Sequence, residues 1–176
     1  MSSEIARTIT DESIGFCLER VGKRKPGWST LVVSGSALAD VSPDRLWAVL
    51  ADLERWSEWS PLHRAAAWTD GNALTLGSRF EQQLDLGFPL GRTTEEVTLA
   101  FAEPERRAGW AGDTNGVKSC HLWRFARAAG ASTEVSNVEV FSGTPVGLIK
   151  PLVARRWRHA FQAAVDGLVA TAEGPS

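Results

Sequence analysis

The chain contains no tyrosine, although it has eight tryptophans and seven phenylalanines among its 176 residues. These two residue types must therefore supply every aromatic side chain that a core of this size needs, and we expect most of them to be packing residues. Tryptophan also lines pockets for flat apolar ligands, because it offers a large face at low rotamer entropy. The tryptophan count favours a ligand pocket only weakly.

Cysteine is almost as scarce, since only Cys17 and Cys120 occur. Two distant cysteines do not make a disulfide framework, so a reducing cytoplasm is the simplest interpretation. The first residues lack a basic region followed by an apolar core, and we expect no secretory signal. No run approaches 18 apolar residues, so no transmembrane segment is predicted. The formal net charge of −2 gives no electrostatic reason to expect nucleic acid or an anionic membrane as a partner.

The motifs of several enzyme classes are also missing. The three histidines, His63, His121 and His159, show no HExxH spacing, and no CxxC pair occurs, so we expect no metal site. There is no GxSxG motif, and the adjacent Cys120 and His121 would lie on opposite faces of a strand, which argues against covalent catalysis. No GxGxxG motif or phosphate loop is present, so we expect neither a nucleotide nor any other cofactor.

The longest regular segment lies near the end of the chain, from Pro145 to Thr171. As a helix it would form a rod of roughly 40 Å. Apolar residues recur along one side of it at helical spacing. They are Val146, Ile149, Val153, Trp157, Ala160, Ala164 and Leu168. This stripe must be buried, and a curved antiparallel sheet is its natural partner, because the preceding chain consists mostly of strands.

Before this helix the sequence predicts one strand, two short helices and about six further strands. Ser42, Pro43 and Asp44 indicate where the first short helix begins. The strands are predicted roughly at 30–38, 63–69, 78–86, 92–102, 106–112, 117–126 and 132–141. A sheet of this size cannot follow a helix of roughly 40 Å along its whole length. We therefore expect sheet and helix to touch at one end and to enclose a mostly apolar cavity at the other.

Two stretches resemble a known family. Residues 39–61 (ADVSPDRLWAVLADLERWSEWSP) resemble the opening of the START-like (SRPBCC) superfamily, and more narrowly its polyketide cyclase/dehydratase-like branch. The shared features are a strand of small residues, a helix begun by proline, the step "aspartate, apolar, x, x, tryptophan", and then "tryptophan, x, proline". Residues 121–125 (HLWRF), Thr133 and residues 139–143 (EVFSG) are similar to the last two strands of that branch.

The resemblance covers about residues 31–171 and implies an α+β helix-grip fold. In that fold a seven-stranded antiparallel sheet surrounds a long C-terminal helix, and two short helices follow the first strand. We predict this domain at 29–176, preceded by an extension at 1–28 with a short helix around Asp11–Arg20. The extension either packs onto the domain, mediates self-association as a homodimer, or is a loosely held tail.

Members of the family bind lipids, sterols, plant hormones or polyketides, or they cyclise and dehydrate polyketide chains. Fold alone does not decide among these functions. His121 shares a predicted strand face with Trp123, so it is a candidate general acid or base, and Glu139 on the neighbouring strand could orient it. Arg156, at the edge of the apolar stripe, could bind a carboxylate or an enolate oxygen. The alternatives are a hydrogen-bonded structural histidine, a solvent-facing glutamate and a surface arginine.

Further residues are expected to bind the ligand. Gln82 and Glu95 are polar residues on otherwise apolar strand faces, and Phe88 lies in an apolar loop that could form the cavity mouth or a gate. For Phe88 the alternative is a hairpin tip packed on the extension. Four residues are expected to line the apolar part of the cavity: Trp110, Trp123, Val153 and Trp157.

Three functions stay open at this point. The first is an enzyme that binds a hydrophobic, polyketide-like small molecule and catalyses acid–base cyclisation or dehydration without a cofactor. The second is a non-catalytic carrier or sensor of lipid-like ligands with the same cavity. The third is a module that binds a protein partner through the grip surface or the 1–28 extension. A polar pair that converges inside the cavity would favour the first function over the second.

Overall fold

A computed structural model describes the backbone of residues 2–174 and the side chains of residues 8–174. Its elements, in chain order, are α1 (Ser2–Arg20), β1 (Thr30–Ala39), α2 (Pro43–Ala51), a 3-10 turn (Leu53–Arg55), α3 (Trp56–Trp59), β2 (His63–Asp70), β3 (Arg79–Gly87), β4 (Gly91–Glu103), β5 (Arg107–Thr114), β6 (Val117–Arg127), β7 (Thr133–Ser142) and α4 (Thr144–Glu173). This order confirms the predicted helix-grip fold. None of the helices within residues 2–174 is long and apolar enough to cross a membrane.

The seven strands form one antiparallel sheet in the order β1-β7-β6-β5-β4-β3-β2. Side chains alternate between its two faces. His121 on β6 pairs with Trp110 on β5 and with Glu139 on β7, so these three side chains lie on the same concave face. On β3 and β4, Gln82 pairs with Glu95 and brings both residues to that face as well.

Helix α4 packs against the concave face, most closely over β1. Gly35 on β1 permits the close approach, because a Cβ atom at this position would lie 2.7 Å from the carbonyl oxygen of Phe161. Gln162 bonds to both backbone groups of Ser36, accepting from its N–H at 3.2 Å and donating to its carbonyl oxygen at 3.0 Å. The predicted apolar stripe is largely buried, and Phe161 and Val165 extend it.

One end of the space between sheet and α4 is filled solidly. Helices α2 and α3 insert Leu46, Leu50 and Trp56 between the sheet and the C-terminal half of α4. The indole N–H of Trp56 donates to the Leu50 carbonyl oxygen at 2.8 Å, so its buried polar atom is satisfied. Gly167 lets α4 approach closely, because a Cβ atom there would collide with the Trp59 carbonyl. The two layers are therefore held together here and separate toward the other end.

Helix α1 covers the convex face of the sheet, over β6 and β7. Cys17 and Leu18 are buried there against Leu122 and Val140, so β7 is enclosed on both faces. The sequence analysis predicted no disulfide framework, but Cys17 and Cys120 form a disulfide with Cα atoms 5.3 Å apart. Spacing along the chain could not reveal the pair, because 103 residues separate the two cysteines. The cytoplasmic location was predicted from the lack of a disulfide framework, and it stays a prediction.

Candidate functional site

A cavity of about 600 Å³ lies where α4 and the sheet separate. This volume is within the range of small-molecule sites. Apolar side chains from β3, β5, β7 and α4 form much of its wall, and polar side chains meet within it. Among the lining residues are Leu62, Leu84, Leu86, Trp110, Phe141, Trp157 and Phe161 on the apolar side, and His63, Gln82, Glu95, His121 and Glu139 on the polar side.

The cavity opens through a seam in the sheet. Strand β4 pairs with β5 only between Leu99↔Trp110 and Glu103↔Arg107. Beyond this point β4 continues beside β3 as far as Gly91, and β5 continues beside β6 as far as Thr114. The two strands therefore diverge, and residues of both border the cavity: Thr93 to Thr98 on β4, and Ala111, Gly112 and Thr114 on β5.

His121 is the centre of the polar group on the β6–β7 wall. It is 7 % exposed, and its Nε2 lies 2.6 Å from the side-chain oxygen of Asn137. Its Nδ1 lies 3.4 Å from Oε2 of Glu139. The Asn137 oxygen can only accept a hydrogen bond, so Nε2 carries the proton of the neutral ring. Nδ1 then has a free lone pair beside the Glu139 carboxylate, and protonation at Nδ1 would create a cation in contact with that carboxylate.

A second polar group occupies the β2–β4 wall. Ser60 Oγ lies 2.6 Å from His63 Nδ1, and His63 Nε2 lies 3.0 Å from Oε1 of Gln82. Gln82 Nε2 in turn donates to Oε1 of Glu95 at 2.5 Å. Since Gln82 Oε1 can only accept, His63 must carry its proton on Nε2 and accept from Ser60 on Nδ1. The hydrogen bonds therefore run in one direction, from Ser60 to the Glu95 carboxylate.

The surroundings of His63 keep it uncharged at neutral pH. The pKa of His63 is lowered from 6.5 to about 4, mainly by burial and also by the nearby His121, against the opposing hydrogen bond to Gln82. The ring also packs edge-on to Trp56 at a centroid distance of 4.8 Å. His63 is thus a neutral ring that holds Gln82 in place, and it does not supply a proton at neutral pH.

Glu95 has the opposite tendency, toward the protonated acid. Loss of surrounding water raises the pKa of the Glu95 carboxyl, and the negative charge of Glu139 raises it further, while Gln82 and His121 partly offset the effect. More than a third of the residue remains accessible through the seam, so solvent moderates this shift. Because Gln82 donates to Oε1 of Glu95, the proton of the neutral Glu95 carboxyl would reside on Oε2.

Aromatic rings adjoin the acid–base groups. Trp110 lies against the His121 ring at a centroid distance of 4.3 Å, and Phe161 lies 5.5 Å from the same ring. Trp157 contacts Phe141 at 5.2 Å and donates from its indole N–H to the Leu86 carbonyl at 3.2 Å. Flat apolar surfaces thus surround a small number of polar atoms, an arrangement typical of sites for ring-containing ligands.

The predicted site residues fall into two groups. Six of them line the cavity: Gln82, Glu95, Trp110, His121, Glu139 and Trp157. Four lie elsewhere. Trp123 and Val153 are buried in core clusters, Phe88 is exposed at the β3–β4 hairpin tip, and the Arg156 guanidinium lies over the backbone of Gly87 at the base of that hairpin. The functional roles of all ten residues stay predictions.

Sequence reasoning missed His63, Ser60 and Asn137. His63 was considered only as a metal ligand, and its position one residue after Leu62 at the start of a strand carried no further signal. Asn137 shares a strand face with Glu139, two residues away, and that spacing could have indicated it. Among the described side chains no cluster of three or more His, Cys, Asp or Glu residues could hold a metal ion.

Solved structures with the same fold share little sequence with this chain. A hypothetical protein of Helicobacter pylori is 19% identical with a TM-score of 0.67, over 84% of this chain and 91% of that one. The Zhui aromatase/cyclase from a Streptomyces species is 14% identical with a TM-score of 0.64, over 82% and 94%. The di-domain ARO/CYC BexL from the BE-7585A biosynthetic pathway is 12% identical with a TM-score of 0.61, over 81% and 48%. At these identities the likeness concerns the fold alone.

Among proteins with curated descriptions, none matches this chain in sequence. A family model described as "Polyketide cyclase / dehydrase and lipid transport" matches residues 30–173. This range contains all seven strands and α2 to α4, and it includes every residue that lines the cavity. The chain therefore belongs to the polyketide cyclase/dehydrase and lipid transport family, as its resemblance to the START-like superfamily predicted.

Proposed function

We propose that this protein binds a hydrophobic, ring-forming or polyketide-like molecule in its cavity and catalyses acid–base cyclisation or dehydration. The observation that carries the proposal is the convergence of the His121–Glu139 pair and Glu95 on one cavity with aromatic walls. His121 offers the Nδ1 lone pair of a ring whose Nε2 proton is held by Asn137, and the raised pKa of Glu95 favours its protonated form. A base and an acid that face one cavity are the groups that acid–base chemistry needs.

His121 would act as the general base. Its Nδ1 lone pair removes a proton from a carbon next to a substrate carbonyl, and the electron pair of that C–H bond moves into the enolate. The imidazolium that forms donates from Nε2 to the Asn137 oxygen, and the Glu139 carboxylate lies 3.4 Å from Nδ1. Glu139 stabilises the positive charge in the transition state, because its carboxylate is already in place.

Glu95 would act as the general acid. In dehydration the enolate expels a hydroxyl group, which leaves as water with the proton of Glu95. In cyclisation the enolate carbon attacks a second carbonyl, and the resulting alkoxide takes the same proton. Either step leaves His121 protonated and Glu95 ionised, so water entering through the seam must return a proton to Glu95 and remove one from His121.

A non-catalytic carrier of hydrophobic ligands is the second candidate. The wide seam between β4 and β5 favours it, because water reaches Glu95 and a reactive enolate is best protected in a closed site. Both candidates require the same apolar cavity. They differ in whether the polar groups act on the ligand or only orient it.

The test has two stages. Native mass spectrometry of the purified protein identifies a co-purified molecule and hence the class of ligand. Turnover of a matching polyketide-like substrate is then measured for the wild type, His121→Ala and His159→Ala, whose histidine is exposed on α4. We expect His121→Ala to lose about 10²- to 10⁴-fold in kcat and His159→Ala to keep it. Ligand binding with no turnover in the wild type would identify a carrier.

A further inference from the structure

Several large apolar side chains are exposed at the end of the molecule where the cavity lies. Phe88 at the β3–β4 hairpin tip is 83 % exposed, and Leu148 and Leu152 on α4 are 68 % and 62 % exposed. Leu90 and Trp28 are exposed nearby, at 40 % and 62 %. Isolated apolar residues on a surface need no explanation, but a contiguous group marks a place of interaction.

Contacts made by neighbouring residues place these side chains in one region of the surface. The Trp28 ring covers Gly147, where a Cβ atom would lie 2.8 Å from it, and Gly147 precedes Leu148. Leu148 and Leu152 are one turn apart on the same side of α4. One further turn along, the Arg156 guanidinium rests on Gly87, the residue before Phe88. We call Trp28, Phe88, Leu90, Leu148 and Leu152 the apolar tip.

Basic residues border the apolar tip. From Thr144 to Val165 helix α4 contains Lys150, Arg155, Arg156 and Arg158 and no acidic residue, although the whole chain has a net charge of −2. The linker before Trp28 adds Lys23, Arg24 and Lys25. The carboxylate closest to the hairpin in sequence, Asp85, is already paired with Arg64 and Arg92. Positive charge is thus concentrated beside exposed apolar side chains.

We propose that the apolar tip docks on an anionic lipid bilayer. The side chains of Phe88, Leu148 and Leu152 would enter the boundary between headgroups and acyl chains, and the arginines of α4 would contact lipid phosphates. A second copy of the chain fits this face less well, because a symmetric contact would bring two like-charged borders together. The apolar tip borders the wide end of the β4–β5 seam, because Phe88 lies in the β3–β4 hairpin turn, just before β4 begins.

Vesicle co-sedimentation tests this proposal. The full chain is mixed with vesicles of equal parts phosphatidylglycerol and phosphatidylcholine, and with vesicles of phosphatidylcholine alone. We expect binding to the anionic vesicles, at least tenfold weaker binding to the neutral ones, and release by 0.5 M salt, because exposed charges are screened at that ionic strength. The double variant Phe88→Asp/Leu152→Asp should lose at least tenfold in vesicle affinity.

Two further variants keep the test decisive. Leu76→Asp replaces a leucine that is 73 % exposed on the β2–β3 connection, away from the apolar tip, and should bind vesicles like the wild type. Arg155→Glu/Arg158→Glu leaves the apolar side chains intact and should also lose binding. No binding of the wild type to anionic vesicles, or an equal loss in Leu76→Asp, overturns the proposal. A dimer of the wild type that Leu152→Asp dissociates, without vesicle binding, identifies a second copy as the occupant instead.

Discussion

The two polar walls of the cavity each contain a histidine, but they place it in different surroundings. On the β6–β7 wall, His121 contacts the carboxylate of Glu139 directly. On the β2–β4 wall, the side chain of Gln82 separates His63 from Glu95. An adjacent carboxylate can stabilise an imidazolium that forms during a reaction, whereas burial lowers the pKa of His63 and keeps that ring neutral. The same residue type can therefore serve as a base on one wall and as a fixed neutral support on the other.

Among changes that leave both histidines in place, the largest expected effect comes from removing the carboxylate that distinguishes the β6–β7 wall. In Glu139→Gln the side chain keeps its size but cannot stabilise an imidazolium, so kcat should fall about 10²-fold with little change in ligand affinity. The measurement is steady-state turnover of the substrate identified by mass spectrometry. Glu134→Gln is the matched control, because Glu134 lies on the same strand but on the opposite face of the sheet. Equal losses in both variants would argue against a role for Glu139.

A smaller effect is expected on the other wall, from Glu95→Gln. Turnover by the wild type should fall as the pH rises through the raised pKa of Glu95, because the acid must be protonated to donate. The variant should lose about tenfold in kcat at neutral pH and should no longer show this alkaline decrease. Glu81→Gln changes an exposed glutamate on the outer face of β3, next to Gln82 in sequence and outside the cavity lining, and should keep the wild-type pH profile. A pH profile that Glu95→Gln leaves unchanged would assign the acid elsewhere.

The smallest effect concerns stability and distinguishes the two histidines. Between pH 6.5 and about 4 the unfolded chain protonates His63 and the folded chain does not, so the free energy of unfolding should decrease as the pH falls through this range and recover above it. The full shift corresponds to about 3 kcal/mol, and we expect about 1 kcal/mol of it between pH 7 and pH 5, because the folded-state pKa lies below that interval and the ring is partly exposed.

Urea unfolding at pH 7 and pH 5 measures this contribution. His63→Gln should unfold with a smaller pH dependence than the wild type, whereas His159→Gln, on the exposed side of α4, should match the wild type. If His63→Gln and the wild type lose stability equally on acidification, the ring is not held neutral in the folded state.

Much of the fold could be predicted from local patterns. The length and apolar stripe of α4 indicated a gripped helix, and Pro43 marked the start of α2 at the residue where the structure begins it. The helix predicted around Asp11–Arg20 exists, although it begins earlier, at Ser2. At the start of α2, Ser42 occupies the predicted N-cap position but makes no side-chain capping bond to the helix. Periodicity and turn residues act over a few positions, which is why they suffice for such elements.

The site was harder to predict, because its distances join residues far apart in sequence. Alternation along β6 placed His121 on the concave face, but only the register of β6 against β7 brought Glu139 beside it. The position of Glu95 relative to His63 depends on the pairing of β3 with β4, because this pairing places Gln82 between the two side chains. The helical projection of α4 left open whether Arg156 points toward the ligand or to the surface. Packing places its guanidinium against Gly87, at the base of the β3–β4 hairpin.

The amino-acid order alone determined the kinds of element, their sequence and the apolar faces that had to meet, since each depends on neighbouring side chains and their period. Tertiary structure decided the pairing of Cys17 with Cys120, the ionisation tendencies of His63 and Glu95, and the seam at Leu99 and Trp110 where the cavity opens. All of these features depend on strand register and burial, which exist only after segments distant in sequence have packed together.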